Sequence, residues 1–396
     1  MCVCSVFVAP RPVADDRTHV LIDCTAIPAH RGGVGRYIEG LLGGLTSDEI
    51  ILSLVVQRRD RHALSKLVPW ATVTPISRWF QIRILRIVWE QFALPGVARK
   101  LNIDVVHSPH YTFPLSWSGG RVVTVHDATF FSHPDAHEFI KRWFFRSWTR
   151  RAWKAADVVI TPSAATGDEV ARFLGSPIAA LEVAHLGVDL TRFHPPSADE
   201  LQALRSRLNL PPDSQWFAFL GTIEPRKNVV ALLDAYQAVR EEFGDHAPEL
   251  LISGGRGWDG RAAARLNSLP ADSGVHELGY LPMTSLSALL GGAVAVAYPS
   301  IAEGFGLPVL EAMAAGAAVI TTDRLAIPEV GGEAVLYAEP TPSALQSAMR
   351  LLLVDETENS RLRALAVTRA SLFTWHATAL RHVAAYALAA EARPGQ

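Results

Sequence analysis

Glu303-Gly304-Phe305-Gly306-Leu307-Pro308-Val309-Leu310-Glu311 places two carboxylates on either side of a glycine loop and a helix start. Glycines let an anion approach the backbone, and N–H groups at a helix N-terminus favour it, so the amides of Phe305, Gly306 and Leu307 can hold a phosphate. Proline suits an early helical position, which sets Glu311 about one turn into the helix. The two carboxylates could then accept sugar hydroxyls, a ribose on one side and a hexose on the other. A helix start with favourable acids is the plainer alternative, and it accounts for one glutamate but not for both.

Leu220-Gly221-Thr222-Ile223-Glu224-Pro225-Arg226-Lys227-Asn228 is the second such segment. Two adjacent cations with helix-terminal N–H groups suit a diphosphate. Cations at a helix start oppose the macrodipole, so the spacing asks for an offsetting anion. Gly32-Gly33-Val34-Gly35-Arg36-Tyr37 is a third, between an apolar run and a helix over 38–45. Its spacing is not that of a dinucleotide fingerprint, and an ordinary glycine loop is the alternative. His126-Asp127 closes the run Val122–Val125; a histidine there could bond a sugar hydroxyl or move a proton, or serve only structure. His107 and His110 end another run and are weaker candidates for acceptor contact. No Asp-x-Asp follows a strand, so charge on a leaving group must fall on Arg226, Lys227 and helix N-termini, and no metal or other cofactor is expected.

These residues need scaffolds that end at one edge. Short apolar runs alternate with helical patterns, which implies βαβ units and parallel sheets buried on both faces. Strands are expected at 20–22, 51–56, 105–107, 122–126 and 158–161, then at 216–220, 250–253, 294–298 and 318–321, with helices at 228–243 and 308–315. In such sheets ligands lie beyond the carboxyl ends of the strands. Two series require two sheets. The polar stretch 191–213, framed by two Pro-Pro pairs, divides a first domain at 1–190 from a second at 195–373.

A chain of 396 residues suits two domains, and 49% hydrophobic with 19% charged residues describes a large core rather than disorder. A formal net charge of −2 gives no reason to expect nucleic acid. The three cysteines, Cys2, Cys4 and Cys24, are odd in number and clustered, which points away from a disulfide framework and towards a reduced, cytoplasmic compartment. The opening MCVCSVFVAP lacks a basic start and a cleavage site, and no window reaches a membrane span.

Taken together, the segments resemble the retaining glycosyltransferases of family 4, which have the GT-B fold: α/β, with two Rossmann-like domains and a deep cleft between them. The resemblance runs from Gly32 to about Tyr386. Glu303 to Glu311 matches the family's E-x7-E motif, and 221–228, Gly279-Tyr280-Leu281-Pro282 and Ile327-Pro328-Glu329-Val330 match in order. His185-Leu186-Gly187-Val188-Asp189, followed by Phe193 and Pro195, resembles the interdomain hinge, with Leu186 where Asn is usual. The segment His126–Phe130 is most similar to bacterial mannosyltransferases that build surface polysaccharides.

The resemblance implies that Glu303 and His126 contact the donor sugar, Glu311 the ribose, and Arg226 and Lys227 the diphosphate. Amides at Gly33 and Phe305–Leu307 would add phosphate contacts. Gly35 and Gly221 would belong to the donor site, with Tyr280 and Leu281 near the base. A helix at 375–390 would return to the first domain. The anomeric configuration would be retained, with the leaving phosphate taking the acceptor's proton. GDP-mannose is the first donor implied; UDP-sugars stay open, as does a nucleotide-sugar epimerase of the same fold. The acceptor would be a glycan or lipid-linked.

Two basic aromatic stretches stand apart. Residues 141–154 hold six basic and five aromatic residues and no acid; residues 78–100 mix arginines with Trp79, Phe80, Trp89 and Phe92. Such segments suit an anionic membrane interface, which would make the protein peripheral on the inner face of the plasma membrane. A core helix with a solvated charged face is the equal alternative.

Overall fold

The computed structural model describes residues 17–28, 32–134 and 139–393. Cys2, Cys4 and the opening apolar segment lie outside the described residues. Seven strands form the first sheet: β1 (His19–Asp23), β2 (Ile51–Val56), β3 (Thr72–Pro75), β4 (Val105–Ser108), β5 (Gly120–Thr124), β6 (Val158–Thr161) and β7 (Ala180–Val183). Their order is β3-β2-β1-β4-β5-β6-β7. Six form the second: β8 (Trp216–Leu220), β9 (Glu249–Ser253), β10 (Val275–Gly279), β11 (Ala295–Tyr298), β12 (Val319–Thr321) and β13 (Leu336–Tyr337), in the order β10-β9-β8-β11-β12-β13. The paired strands run parallel, as Val20 beside Leu52 and Trp216 beside Glu249 illustrate. Parallel sheets bury both faces, and Val20, Leu21 and Ile22 are correspondingly inaccessible.

No strand is expected from the sequence at β3, β7, β10 or β13, and these are the four sheet edges. Interior strands read as unbroken apolar runs because both faces are covered. Edge strands such as Val275-His276-Glu277-Leu278-Gly279 are half solvated and carry polar residues, so no run marks them. The strand expected to reach His126 ends at Thr124, and His126 stands in the loop beyond it.

Helix ends follow local chemistry. Ser197 and Glu200 form a capping box on Ala198–Leu208, and Ser163 caps Ala164–Leu174. The last helix, Trp375–Glu391, returns to pack on Gly33–Gly44 and on β5 and β6. Glycine is required at that crossing: a Cβ at Gly40 would overlap the Trp375 indole, and one at Gly44 its carbonyl. The packing is fixed by a buried chain of hydrogen bonds. Tyr386 Oη meets His107 Nδ1 at 2.8 Å, His107 Nε2 meets Thr124 Oγ1 at 2.9 Å, and Tyr37 Oη meets Thr124 Oγ1 at 2.9 Å and His382 Nε2 at 2.7 Å. His107 is thereby structural. It is fully buried, with its pKa pushed well below the usual value chiefly by burial, so it cannot touch an acceptor.

Candidate active site

The carboxyl ends of β8 and β11 converge on Glu303. Arg226 and Lys227 do not open the long helix, as the spacing suggested. They form a separate 3-10 turn, Pro225–Lys227, and the helix Val229–Phe243 begins after Asn228 in the left-handed region at φ 56°. The turn aims both cations at one carboxylate. Arg226 Nη1 lies 2.7 Å from Glu303 Oε2, and Lys227 Nζ bonds Glu303 Oε1. Tyr298 Oη at 2.9 Å and Ser300 Oγ at 2.7 Å also donate to Oε1. The anions that the two cations call for are Glu303 itself and, for Arg226, also Glu224, whose Oε2 lies 2.8 Å from Arg226 Nε.

Burial pushes the Glu303 carboxyl up, but Arg226 and Lys227, with hydrogen bonds from Lys227 and Ser300, bring it down to about 2. Burial and the neighbouring Arg226 lower the Lys227 ammonium to about 8, against the pull of Glu303. Lys227 also lies 4.5 Å from the centroid of the Tyr298 ring, a cation–π contact. A carboxylate has about four lone-pair positions. Among the described residues Oε1 is saturated by three donors, whereas Oε2 takes only Arg226 and keeps a position for one hydroxyl.

The loop after Glu303 leads into the helix Leu307–Ala314, with Gly306 at its N-cap at φ 98°. Phe305 and Gly306 are buried, and neither N–H has an acceptor among the described residues. A buried amide without a partner is costly, so this geometry suits an anionic ligand. Glu311 sits in that helix, also buried, and burial raises its pKa. Its partner is Arg36, from the first turn of Gly33–Gly44 in the other domain. Gly33 and Gly35 therefore stand at a helix N-terminus that faces Glu311 across the cleft. Arg36 was missed by sequence reasoning, although its place beside the glycine motif was a signal.

His126 Nε2 donates to the Pro109 carbonyl at 2.9 Å, and the ring packs edge-on against Tyr37. Burial lowers its pKa, so the imidazole is neutral near pH 7 and Nδ1 is the acceptor. Its backbone carbonyl abuts Gly304 across the cleft. Gly221 is placed differently from the other donor-site glycines. Its N–H donates to Ser253 O at 2.9 Å, so its amide is committed to the fold, and it is Gly254 that lets the two loops approach, since a Cβ there would overlap the Gly221 carbonyl. Tyr280 and Leu281 follow β10 at the same sheet edge, with Tyr280 67% exposed.

Two cavities open between the domains. One of about 1040 Å³ reaches Arg36, Asp189, Thr284, Leu307 and Glu311. A smaller one of about 230 Å³ is lined by Asp127, Phe130, Lys141, Glu224, Arg226 and Trp258. His110 lies elsewhere, with Asp23 and Glu90, in the group of three metal-type side chains found among the described residues. Arg86 intrudes on that group, its Nη1 2.8 Å from Glu90 and 3.0 Å from His110, and a fixed positive charge there opposes a cation.

The two basic stretches part company in the structure. In Arg83–Phe92 the charged residues Arg86 and Glu90 face inward, while Ile84 (73% exposed), Leu85, Val88 and Phe92 (82% exposed) face solvent. In Phe139–Ala155 the second half is a core helix: Trp148, Ala152 and Trp153 are buried, and Arg146 and Arg150 fold over the Phe131 ring. Only its first five residues present large apolar side chains, Phe139, Ile140 and Trp143, to solvent. No helix among the described residues is long and apolar enough to cross a membrane.

Comparison with known proteins joins these observations. Residues 31–192 match the model of Glycosyltransferase Family 4, and residues 202–367 that of Glycosyl transferases group 1. The O-antigen chain mannosyltransferase B of Escherichia coli is 30% identical over 287 residues, which is 72% of this chain and 74% of that protein. Among solved structures, sucrose-phosphate synthase from Thermosynechococcus elongatus superposes with a TM-score of 0.72 at 21% identity, over 92% of this chain and 97% of that one. The Anabaena protein HepE, in complex with UDP-glucose, gives 0.72 at 16% identity, over 93% and 98%. Both are similar in fold.

Proposed function

The chain belongs to the group 1 and family 4 glycosyltransferases of GT-B fold, and from that premise we propose that it is a retaining enzyme. It transfers a hexose, in the first instance mannose from GDP-mannose, from a nucleotide-sugar donor to a glycan or lipid-linked acceptor. It does so without a bound metal ion. The observation that carries this reading is the cradle itself: the buried Lys227 and the part-buried Arg226 beside two buried amides that have no acceptor among the described residues. Donor N–H groups already fixed where the leaving diphosphate gains negative charge lower the barrier without reorganisation. The mannosyltransferase relative supports mannose as the sugar.

In this mechanism the acceptor oxygen bonds to the anomeric carbon on the face that the diphosphate leaves. The breaking C–O pair goes to the diphosphate, and the acceptor's proton goes to a phosphate oxygen. Glu303 Oε2 accepts a hydroxyl of the hexose while Oε1 keeps Lys227 in place. His126 accepts a second hydroxyl through Nδ1. Glu311 takes the ribose, exchanging Arg36 for it. The base lies towards Tyr280 and Leu281, and the division into 1–190 and 195–373 leaves the donor mainly on the second domain. Melting shifts with UDP, GDP, ADP and their sugar conjugates test this reading. A ligand at about 100 times its Kd adds roughly 2.7 kcal/mol, a visible rise. A rise with one base, unchanged by EDTA, is expected; no rise with any nucleotide sinks the proposal.

The acceptor is proposed to reside at an anionic membrane surface, on the cytoplasmic side. The outward apolar face of Arg83–Phe92, with Trp79 and Ile82 beside it and Arg78 and Arg83 exposed, supports this. Retention on anionic vesicles at low salt, lost in Ile84→Ser/Phe92→Ser, is the expected result. Absence of binding by the unaltered protein would refute docking.

A further inference from the structure

The carbonyl of Gly304, the residue after Glu303, is held by the other domain. Ser163 Oγ donates to it at 2.7 Å and Thr166 Oγ1 at 2.9 Å. All three residues are buried. Ser163 Oγ accepts the Thr166 N–H at 3.0 Å as the helix cap, which leaves its proton for Gly304. Both lone pairs of the carbonyl are thus filled from across the cleft. The same turn is bound at a second point: the N–H groups of Ala164 and Ala165 donate to Glu329 at 2.9 and 2.7 Å, and His185 Nε2 meets that carboxylate at 2.9 Å. A carboxylate at a helix N-terminus is favourably placed.

A peptide unit is planar and trans, so its C=O and N–H point in opposite directions. Holding the Gly304 carbonyl towards Ser163 and Thr166 therefore turns the Phe305 N–H the other way. The control is needed because this peptide lies in a glycine loop, where little opposes rotation. A rotated peptide would put its carbonyl dipole where the amide now points, against any anion there. The contact also requires closed domains: a Cβ at Gly304 would overlap the His126 carbonyl and meet Asp127 Cβ at 2.9 Å.

We infer that Ser163 and Thr166 are positioning residues that aim the Phe305 N–H at the donor's diphosphate, and that they do so only when the two domains close. The inference rests on the proposed role of that amide as a phosphate donor. Donor bound to the open form gains little from these hydroxyls, while the closed transition state gains most.

Thr166→Val removes one hydroxyl at constant shape. Ser163→Asp keeps a capping oxygen but has no proton to give to Gly304. Nucleotide release is followed with the nucleotide sugar that gives the largest melting shift, and the Kd of its free nucleotide is measured alongside. Each variant is expected to lose about tenfold or more in kcat, by analogy with removal of a transition-state donor. The Kd should change by less than about threefold, with a cooperative melt retained, and Thr166→Ser should restore turnover. Normal kcat in both variants, or a Thr166→Ser variant as slow as Thr166→Val, would overturn the inference. Lys227→Ala separates the two readings. If it binds nucleotide as tightly as the unaltered protein, the donor cradle is wrong. If it loses affinity while Thr166→Val turns over normally, only the positioning role fails.

Discussion

Glu303 and Glu311 stand at the two ends of one motif, both buried, yet their surroundings differ in origin. Every partner of Glu303 (Arg226, Lys227, Tyr298 and Ser300) belongs to its own domain. Glu311 has Arg36, which reaches it from the other domain. The first carboxylate is part of a finished electrostatic unit that persists whether the cleft is open or closed. The second is satisfied by a contact that closure makes. Charge stabilisation can thus be built into one domain, while the state of the cleft is reported at the far end of the same motif.

The difference is broken most severely at Glu303. Glu303→Gln leaves Lys227 buried without its counter-charge and Arg226 with Glu224 alone, so it should cost on the order of 3 kcal/mol of stability. Transfer should fall by about 100-fold or more. A cooperative melt at lower temperature with nearly abolished turnover is the expected pair of results. Wild-type turnover would remove Glu303 from the site.

Lys227 sharpens the comparison through pH. Its ammonium titrates at about 8 in the folded protein, below its ordinary value of 10.5. The folded state therefore bears the cost of the buried charge below about pH 8, and that cost is relieved as pH rises towards 10.5. A bound diphosphate favours the charged form. Nucleotide affinity should then be level below about pH 8 and fall up to about tenfold per pH unit above it. Lys227→Arg should remove the break. The Glu303 carboxyl, depressed to about 2, works in the other direction: its contribution is present above 4.5 and is lost as pH falls from there through 2.

The smallest effect is expected at Arg36. Arg36→Ala breaks the contact across the cleft, but opening can rehydrate Glu311, so the melting temperature should move much less than in Glu303→Gln. Small-angle scattering should show a larger radius of gyration for the free protein. An unchanged radius with a melting loss equal to that of Glu303→Gln would mean that the two carboxylates are built alike.

What could be read in the sequence follows the same line. Arg226, Lys227, Glu303 and Glu311 stand out in the sequence because each follows a buried strand of one sheet within a short local pattern. Tyr298 and Ser300 end the apolar run of β11 and could have been added on that ground. Arg36, Ser163, Thr166 and Glu329 act by meeting partners in the other domain, and no spacing along the chain encodes that encounter. The edge strands escaped because half-exposure breaks their apolar runs. The helix Arg83–Phe92 was visible as amphipathic, but which face turns inward depends on what lies beneath it. Here that is the buried group of Asp23, His110 and Thr112, which receives Arg86 and Glu90.

The central claim is that the second domain carries the charged part of a metal-free cradle for a nucleotide diphosphate sugar, which the first domain completes on closure. It is tested most directly by slow hydrolysis of GDP-mannose without acceptor, followed by nucleotide release and by NMR of the first-formed anomer. The account predicts release of GDP with the α-anomer formed first, unaffected by chelator and lost in Glu303→Gln. Release at the same rate by Glu303→Gln, or release that stops with chelator, would contradict it.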